Sequence, residues 1–285
     1  MARWKNSAVL TVSAFAVLGL AACGSKDAGS TTEEKPSALA LMASDAKGSI
    51  QKASAALGGA TTTVSFTMTG KAEGEAVKGT GVAALGTERK AEMTLEDPKE
   101  GPTTARIIGT AMYISVSPSE QAEFDGKKWL KMDLAMAGEA GNEAMSSMLD
   151  EIDPAQTLKR MLAAESITVV GEEAVAGVQT VHYAATIPVA AYLGAVSDAK
   201  AREALEKEFT KLGVKEVKAD LWADEQYQLR RFRGYLNDAN DVTVDYTDYG
   251  KPVTIELPPA AETADFVDML KELGDALKDL ENLEG

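Results

Sequence analysis

One cysteine and one histidine in 285 residues leave little for the chemistry that those side chains usually carry. An internal disulfide needs two cysteines, so none can form. Zinc sites built from Cys and His need several such ligands, and a single residue of each type excludes them. No serine stands in a Gly-x-Ser-x-Gly elbow. The acidic pairs Glu172-Glu173, Asp224-Glu225 and Asp238 with Asp241 do not follow a calcium-loop spacing, and they read as solvated turn charges. Basic residues are also scarce, with 29 Lys and Arg against 44 Asp and Glu and a net charge of −15. That balance argues against nucleic acid, which is met by clustered cations, and against electrostatic adhesion to anionic headgroups. The sequence therefore predicts no enzyme, no catalytic residue, no metal and no cofactor. His182 alternates beside Tyr183 and reads as a structural histidine.

What is present begins at the N-terminus. Arg3 and Lys5 precede an apolar run from Ala8 to Leu20, followed by Leu20-Ala21-Ala22-Cys23. The run is shorter than the roughly 18–20 residues of a spanning helix, and with its basic start and small-residue end it has the layout of a secretory signal. The stretch ending in Cys23 resembles the lipobox of bacterial lipoproteins. That resemblance implies a diacylglycerol on the Cys23 sulfur, cleavage before Cys23 and a lipid anchor at the extracytoplasmic face of the cell membrane. A lone free thiol in an exported chain would otherwise be a reactive liability. Residues 1–22 are read as the signal peptide, 23–36 as a flexible Gly/Ser/Thr/Glu tether, and 37–285 as a single domain. Cleavage would leave 27 basic and 44 acidic residues, a net charge of −17.

Ser37 to Leu57 carries apolar residues at helical spacing, with Ser37 as N-cap and Gly58-Gly59 as a stop. The period then changes to two. Val64, Phe66 and Met68 alternate with Ser65, Thr67 and Thr69, and further alternating runs cover Gly79–Leu85, Glu88–Leu95, Arg106–Val116 and Trp129–Leu134. Helices are predicted over Gly138–Leu149 and Asp153–Ala164, the second with Asp153 as N-cap and Pro154 at its first position. Ile167–Glu172 and Val178–Ile187 read as a hairpin about Ala176-Gly177. Helical stretches over Val189–Val196 and Lys200–Leu212 come next, then strands over Val214–Ala223, Gln228–Leu236 and Asp241–Tyr249. Pro252–Pro259 reads as extended and Thr263–Leu283 as an acidic amphipathic helix.

The fold class is α+β, a long antiparallel meander that curls because twist accumulates along it. Several segments are similar to the actinobacterial lipoproteins of the LppX/LprG type, relatives in fold of LolA and LolB. They are Met112-Tyr113-Ile114, Lys128-Trp129-Leu130, Asp153-Pro154 with Leu158, Val170-Gly171, and Gly177-Val178-Gln179-Thr180-Val181-His182-Tyr183. Leu221-Trp222-Ala223-Asp224, Leu229-Arg230-Arg231 and Asp248-Tyr249-Gly250-Lys251-Pro252-Val253 continue the series to Pro258-Pro259. The resemblance implies a curved antiparallel half-barrel, a U-shaped sheet with helices packed on its concave side, around a cavity for the acyl chains of a lipid or glycolipid. Strands rich in Ala, Gly, Thr and Met, and the acidic C-terminal stretch, depart from the family pattern.

Apolar residues that could line such a cavity are Phe66, Met68, Met93, Met112, Ile114, Leu130, Met132, Tyr183, Leu221 and Phe232. Adaptable Met suits a loosely shaped ligand. The same periodicity fits a packed core equally well. Arg230, Arg231 and Arg233 make a basic spot that either pairs with carboxylates such as Asp245 or meets a phosphate headgroup at a cavity mouth. Two functions stay open: a lipid carrier or chaperone held at the membrane, and a tethered interaction module with a filled core that binds an envelope protein. A monomer is expected.

Overall fold

A computed structural model describes residues 36–60, 63–99, 101–196 and 198–271. The predicted signal segment, Cys23, the tether up to Lys35 and the acidic stretch beyond Lys271 lie outside the described residues.

Among the described residues twelve strands form one sheet in which chain order is nearly spatial order. On one side of the centre run β1 (Thr63–Ala72), β2 (Glu75–Ala84), β3 (Lys90–Asp97), β4 (Gly101–Ile108), β5 (Ala111–Ser115) and β6 (Trp129–Asp133). On the other run β11 (Asn240–Thr247), β10 (Leu229–Asn237), β9 (Glu216–Asp224), β8 (Val178–Pro188) and β7 (Ile167–Val175). β1 and β11 pair antiparallel and join the two meanders. β12 (Thr263–Asp265) lies parallel to β6, the one exception to the antiparallel rule. β12 and β7 remain unjoined edges, so the sheet is curved but not closed.

Residues opposite one another in register share a face, so the inner face can be traced strand by strand. One row runs Leu130, Ile114, Ala105, Met93, Gly81, Phe66 and Tyr246. A second runs Met68, Val244, Phe232, Leu221 and Tyr183. Helices cover this face: α1 (Ala38–Ser44), α2 (Ala46–Ala60), α3 (Glu139–Ile152), α4 (Pro154–Met161), α5 (Val189–Gly194) and α6 (Ala199–Leu212). The N-caps read from the sequence are met, since Ser37 Oγ accepts from Ala40 N at 3.1 Å and Asp153 Oδ1 from Ala155 N at 2.8 Å.

The outer face is polar and paired. Arg231 binds Asp245 through two bonds of 2.5 and 2.8 Å, and Arg233 binds Asp241 at 2.8 and 2.7 Å. His182 stacks on Trp222 with ring centroids 4.1 Å apart, and its Nε2 lies 2.7 Å from Asp220 Oδ1. After β11 the chain runs along this outer face, where Arg106 Nη1 donates to the Glu256 carbonyl at 3.0 Å, and it arrives at the β6 edge as β12.

Five sequence expectations are corrected. Asp241 is not a solvated turn charge, since it stands in β11 and binds Arg233 across the strands. The helix over residues 37–57 is two helices, because Asp45 leaves the helical conformation and its Oδ1 accepts from Gly48 N at 2.9 Å. Glu172 and Glu173 lie in β7, not a turn, and the Glu173 carboxylate accepts from Trp222 Nε1. Asp224 is fully buried, not solvated. It accepts from Gln226 N, Gln228 N and Arg230 Nε, which satisfy the carboxylate and draw in Arg230. Thr263–Asp265 begins with strand pairing before the chain turns helical at Phe266, a three-residue segment too short to show alternation. The arginine cluster accordingly faces away from the helices, in the carboxylate pairing that was one of its two readings.

β12 is held to β6 by side chains as well as by backbone. Lys131 Nζ lies 3.1 Å from Asp265 Oδ2, and Lys128 Nζ 2.9 Å from Glu262 Oε1. Partial burial pushes the Asp265 carboxyl up, but bonds from Lys131 and Val267 N outweigh it and hold the group below its usual 3.8. A depressed carboxylate stabilises the fold above its unfolded pKa, and the effect is lost as pH falls through the folded value. Amide protection factors at Thr263–Asp265, taken relative to the intrinsic rate at each pH, should therefore fall below about pH 4 before those of the β1–β11 amides do. Asp265→Asn should show the lowered protection already at neutral pH.

Candidate functional site

Small residues leave a hollow between the sheet and α3. Ala91 and Ala105 line it from inner-face positions, and Gly81, on the same face, yields its space to the Phe66 ring. Gly81 is the tightest of them. A Cβ there would sit against the Phe66 ring and 2.6 Å from the Glu92 carbonyl oxygen, so its absence lets the ring lie flat over β2. The resulting cavity has a volume of about 440 Å³. Its sheet wall is Phe66, Met68, Ala91, Met93, Ala105, Ile107, Met112, Val244 and Tyr246, and its helix wall is Met148, Glu151 and Ile152. A second lobe of about 170 Å³ shares Glu151, Val244 and Tyr246 and extends beneath α4 and α5 to Arg160, Tyr192 and Phe232.

The roof is tied down by ion pairs. Arg89 Nη1 donates to Asp150 Oδ1 at 2.7 Å, and Arg89 Nη2, buried without a hydrogen bond, lies 3.7 Å from Asp153 Oδ2. Burial pushes the Asp153 carboxyl above its usual range despite the bond from Ala155 N and the nearby Arg89. Arg160 reaches back from α4 to Glu151 at the end of α3. Tyr246, between the lobes, is pushed up to about 12 by burial and stays a neutral hydroxyl.

Four of the ten residues read as cavity lining, Phe66, Met68, Met93 and Met112, face the larger lobe, and Phe232 faces the smaller. Ile114, Leu130 and Met132 continue the same face toward β12 without lining either lobe. Tyr183 and Leu221 are fully buried in the packed core, with Tyr183 Oη donating to the Met42 carbonyl at 3.2 Å. Sequence reasoning missed Ala91, Ala105, Ile107, Val244 and Tyr246, as well as the α3 residues. Alternation names a face but not the residues that meet across strands, and an alanine gives no sign that it borders space.

A hollow of about 570 Å³ beside a neighbouring face of α3 has a mixed lining, with Glu88, Arg89, Lys90, Thr110 and Asn142 alongside Ile108, Met145 and Leu149. Among the described residues no cluster of His, Cys, Asp and Glu could hold a metal ion. No helix among them is long and apolar enough to cross a membrane.

No protein-family model matches the chain. It is 32% identical over 183 residues to an uncharacterized 31.2 kDa protein of Streptomyces griseus, over 61% of this chain and 60% of that protein. It therefore spans less than two thirds of that relative's length. A putative lipoprotein of Streptomyces coelicolor is 26% identical over 78% of this chain and 67% of its own. In structure the chain is similar to LprF of Mycobacterium bovis, with a TM-score of 0.50 and 17% identity over 75% of this chain and 97% of that one. The class so defined is the curved half-barrel roofed by helices. The resemblance read from the sequence is met at the level of that fold.

Gly81→Ala should lower stability by about 1–3 kcal/mol, the usual range for forcing extra volume into a packed site, as read by urea unfolding. Phe66→Leu in the same chain should recover part of that loss, because the obstructing ring is gone.

Proposed function

We propose that the protein is a membrane-anchored envelope lipoprotein that holds an acyl chain of a lipid or glycolipid between the sheet and α3, as a carrier or chaperone. The observation that carries this reading is the 440 Å³ cavity, whose walls are apolar but for Glu151 and the Tyr246 hydroxyl. Its size falls within the ~300–1,000 Å³ of small-molecule sites. Burial of about ten methylenes at ~0.8 kcal/mol each would give ~8 kcal/mol, a micromolar affinity before ordering costs. Affinity of that order suits a ligand that must be released again. The lipobox residues ending in Cys23 and the naming of the S. coelicolor relative as a putative lipoprotein support the anchor. Lipid from the same bilayer would then lie within reach of the domain.

The test is native mass spectrometry of the full chain carrying Cys23→Ser, after exposure to vesicles of mixed phospholipid. One lipid per protein is expected. Ala91→Leu with Ala105→Leu places two isobutyl groups in the larger lobe, and it should reduce occupancy at least about tenfold, each lost methylene contact being worth ~0.8 kcal/mol. The circular dichroism spectrum should not change. A wild-type chain that takes up no lipid, or a filled variant that takes up as much, overturns the reading.

A further inference from the structure

Of the residues that line the two lobes, Arg160 alone is positively charged. It projects from α4 with its side chain only 15% exposed, and its guanidinium meets the Glu151 carboxylate edge to edge. Nη2 lies 2.9 Å from Oε1 and Nη1 donates to Oε2 at 3.1 Å, while Nη2 also donates to the Asp150 carbonyl at 3.2 Å. The Asp150 side chain is engaged elsewhere, with Arg89.

The two partners are held very unequally. Arg160 is largely covered and fixed by a backbone carbonyl, whereas the Glu151 side chain is 59% exposed and makes no other hydrogen bond among the described residues. Glu151 can rotate into water and recover its hydration, and Arg160 cannot go with it. The planar guanidinium would then present two parallel donors to the smaller lobe, next to the Glu151 that both lobes share, a geometry suited to a carboxylate or a phosphate. Within the smaller lobe its other polar neighbours, Tyr192, Tyr246 and Thr157, are uncharged; on its opposite side Arg160 also borders a small hollow with Asp150 and Asp198, whose carboxylates are bound by Arg89 and by Ala201 N.

We infer that Arg160 makes the cavity selective for lipids with a phosphate-bearing headgroup, the phosphate displacing Glu151 from the guanidinium while the acyl chain occupies the lobes. This inference rests on the acyl-binding reading above. The selectivity is modest, because one ion pair is exchanged for another and only the difference between them counts.

Competition for a fluorescent fatty-acyl probe bound to the full chain carrying Cys23→Ser tests it. The competitors are phosphatidic acid, diacylglycerol with the same chains, and inorganic phosphate. Phosphatidic acid should displace the probe at about tenfold lower concentration than diacylglycerol, in keeping with a charge-assisted bidentate contact. Glu151→Gln should widen that ratio by removing the competing carboxylate. Arg160→Gln should bring it to about one, with diacylglycerol still bound as in the wild type.

Equal ratios in all three chains would overturn the inference and leave the pair as a tie between α3 and α4. Inorganic phosphate that blocks phosphatidic acid while the probe stays bound would overturn it in favour of a soluble phosphate ligand. Failure of both lipids to displace the probe from the wild type would remove the acyl-binding reading itself, and with it this one.

Discussion

The pairing of β1 with β11 is the constraint on which the rest of the molecule depends. It joins residues nearly 180 positions apart, in seven register pairs from Ser65 with Thr247 to Lys71 with Asp241. Closing so long a loop costs conformational entropy before any contact rewards it. The structural effect of the seam is disproportionate to seven residue pairs. Two local meanders become one continuous inner face, and Phe66 meets Tyr246 while Met68 meets Val244. Those four side chains are the part of the sheet wall that both meanders supply, so the cavity exists only once the seam has formed.

The same inner face is solid under α1 and α2 and hollow under α3, with the smaller lobe crossing the seam beneath α4 and α5, and side-chain volume accounts for the difference. Under α1 and α2, Tyr183, Leu221 and Val181 meet Met42, Ile50 and Ala53, all buried in one core. Under α3 the facing positions are Gly81, Ala91 and Ala105, which cannot reach the helix from an inter-layer distance of about 10 Å. The end of the helix is nevertheless tied at the margin of the gap, where Arg89 binds the Asp150 carboxylate and lies near that of Asp153. A void of this kind forfeits packing contacts, so its survival depends on ties that are polar and lie at its margin. The choice between a filled core and a lined cavity, open on periodicity alone, thus has both answers within a single face.

How much of this was legible depended on the range of the information. Local signals were faithful. Asp153-Pro154 capped its helix, and Ala176-Gly177 turned its hairpin with φ of 49° and 82°. Alternation named inner-face residues correctly, since all ten proposed lining positions share one face in register. It could not say which of them faced space, because that depends on the partner strand and the helix opposite, neither of which leaves a trace in a single strand. Asp224 failed for a related reason. Its neighbours in sequence are those of an exposed turn, while the Arg230 that makes its burial tolerable arrives from the next strand. Long-range pairing decided each of these cases.

Charge is divided consistently across the fold. The cations of the outer face are matched there, Arg231 to Asp245, Arg233 to Asp241 and Arg106 to Glu92, so that a chain with a net charge of −15 presents few unopposed positive groups to its surroundings. Such a surface is repelled by anionic headgroups and gains nothing from approaching them. On the lipoprotein reading, residence at the membrane then falls to the anchor at Cys23. Were the roughly 13 residues after Cys23 to act as the tether proposed for them, a random coil of that length would have a root-mean-square reach of about 20 Å and would keep the local concentration of lipid high without any attractive patch. On the proposed reading, capture would then have to come from the cavity, where the apolar walls reward the chain and Arg160, the cation lining the smaller lobe, is already pre-aligned by its own carboxylate.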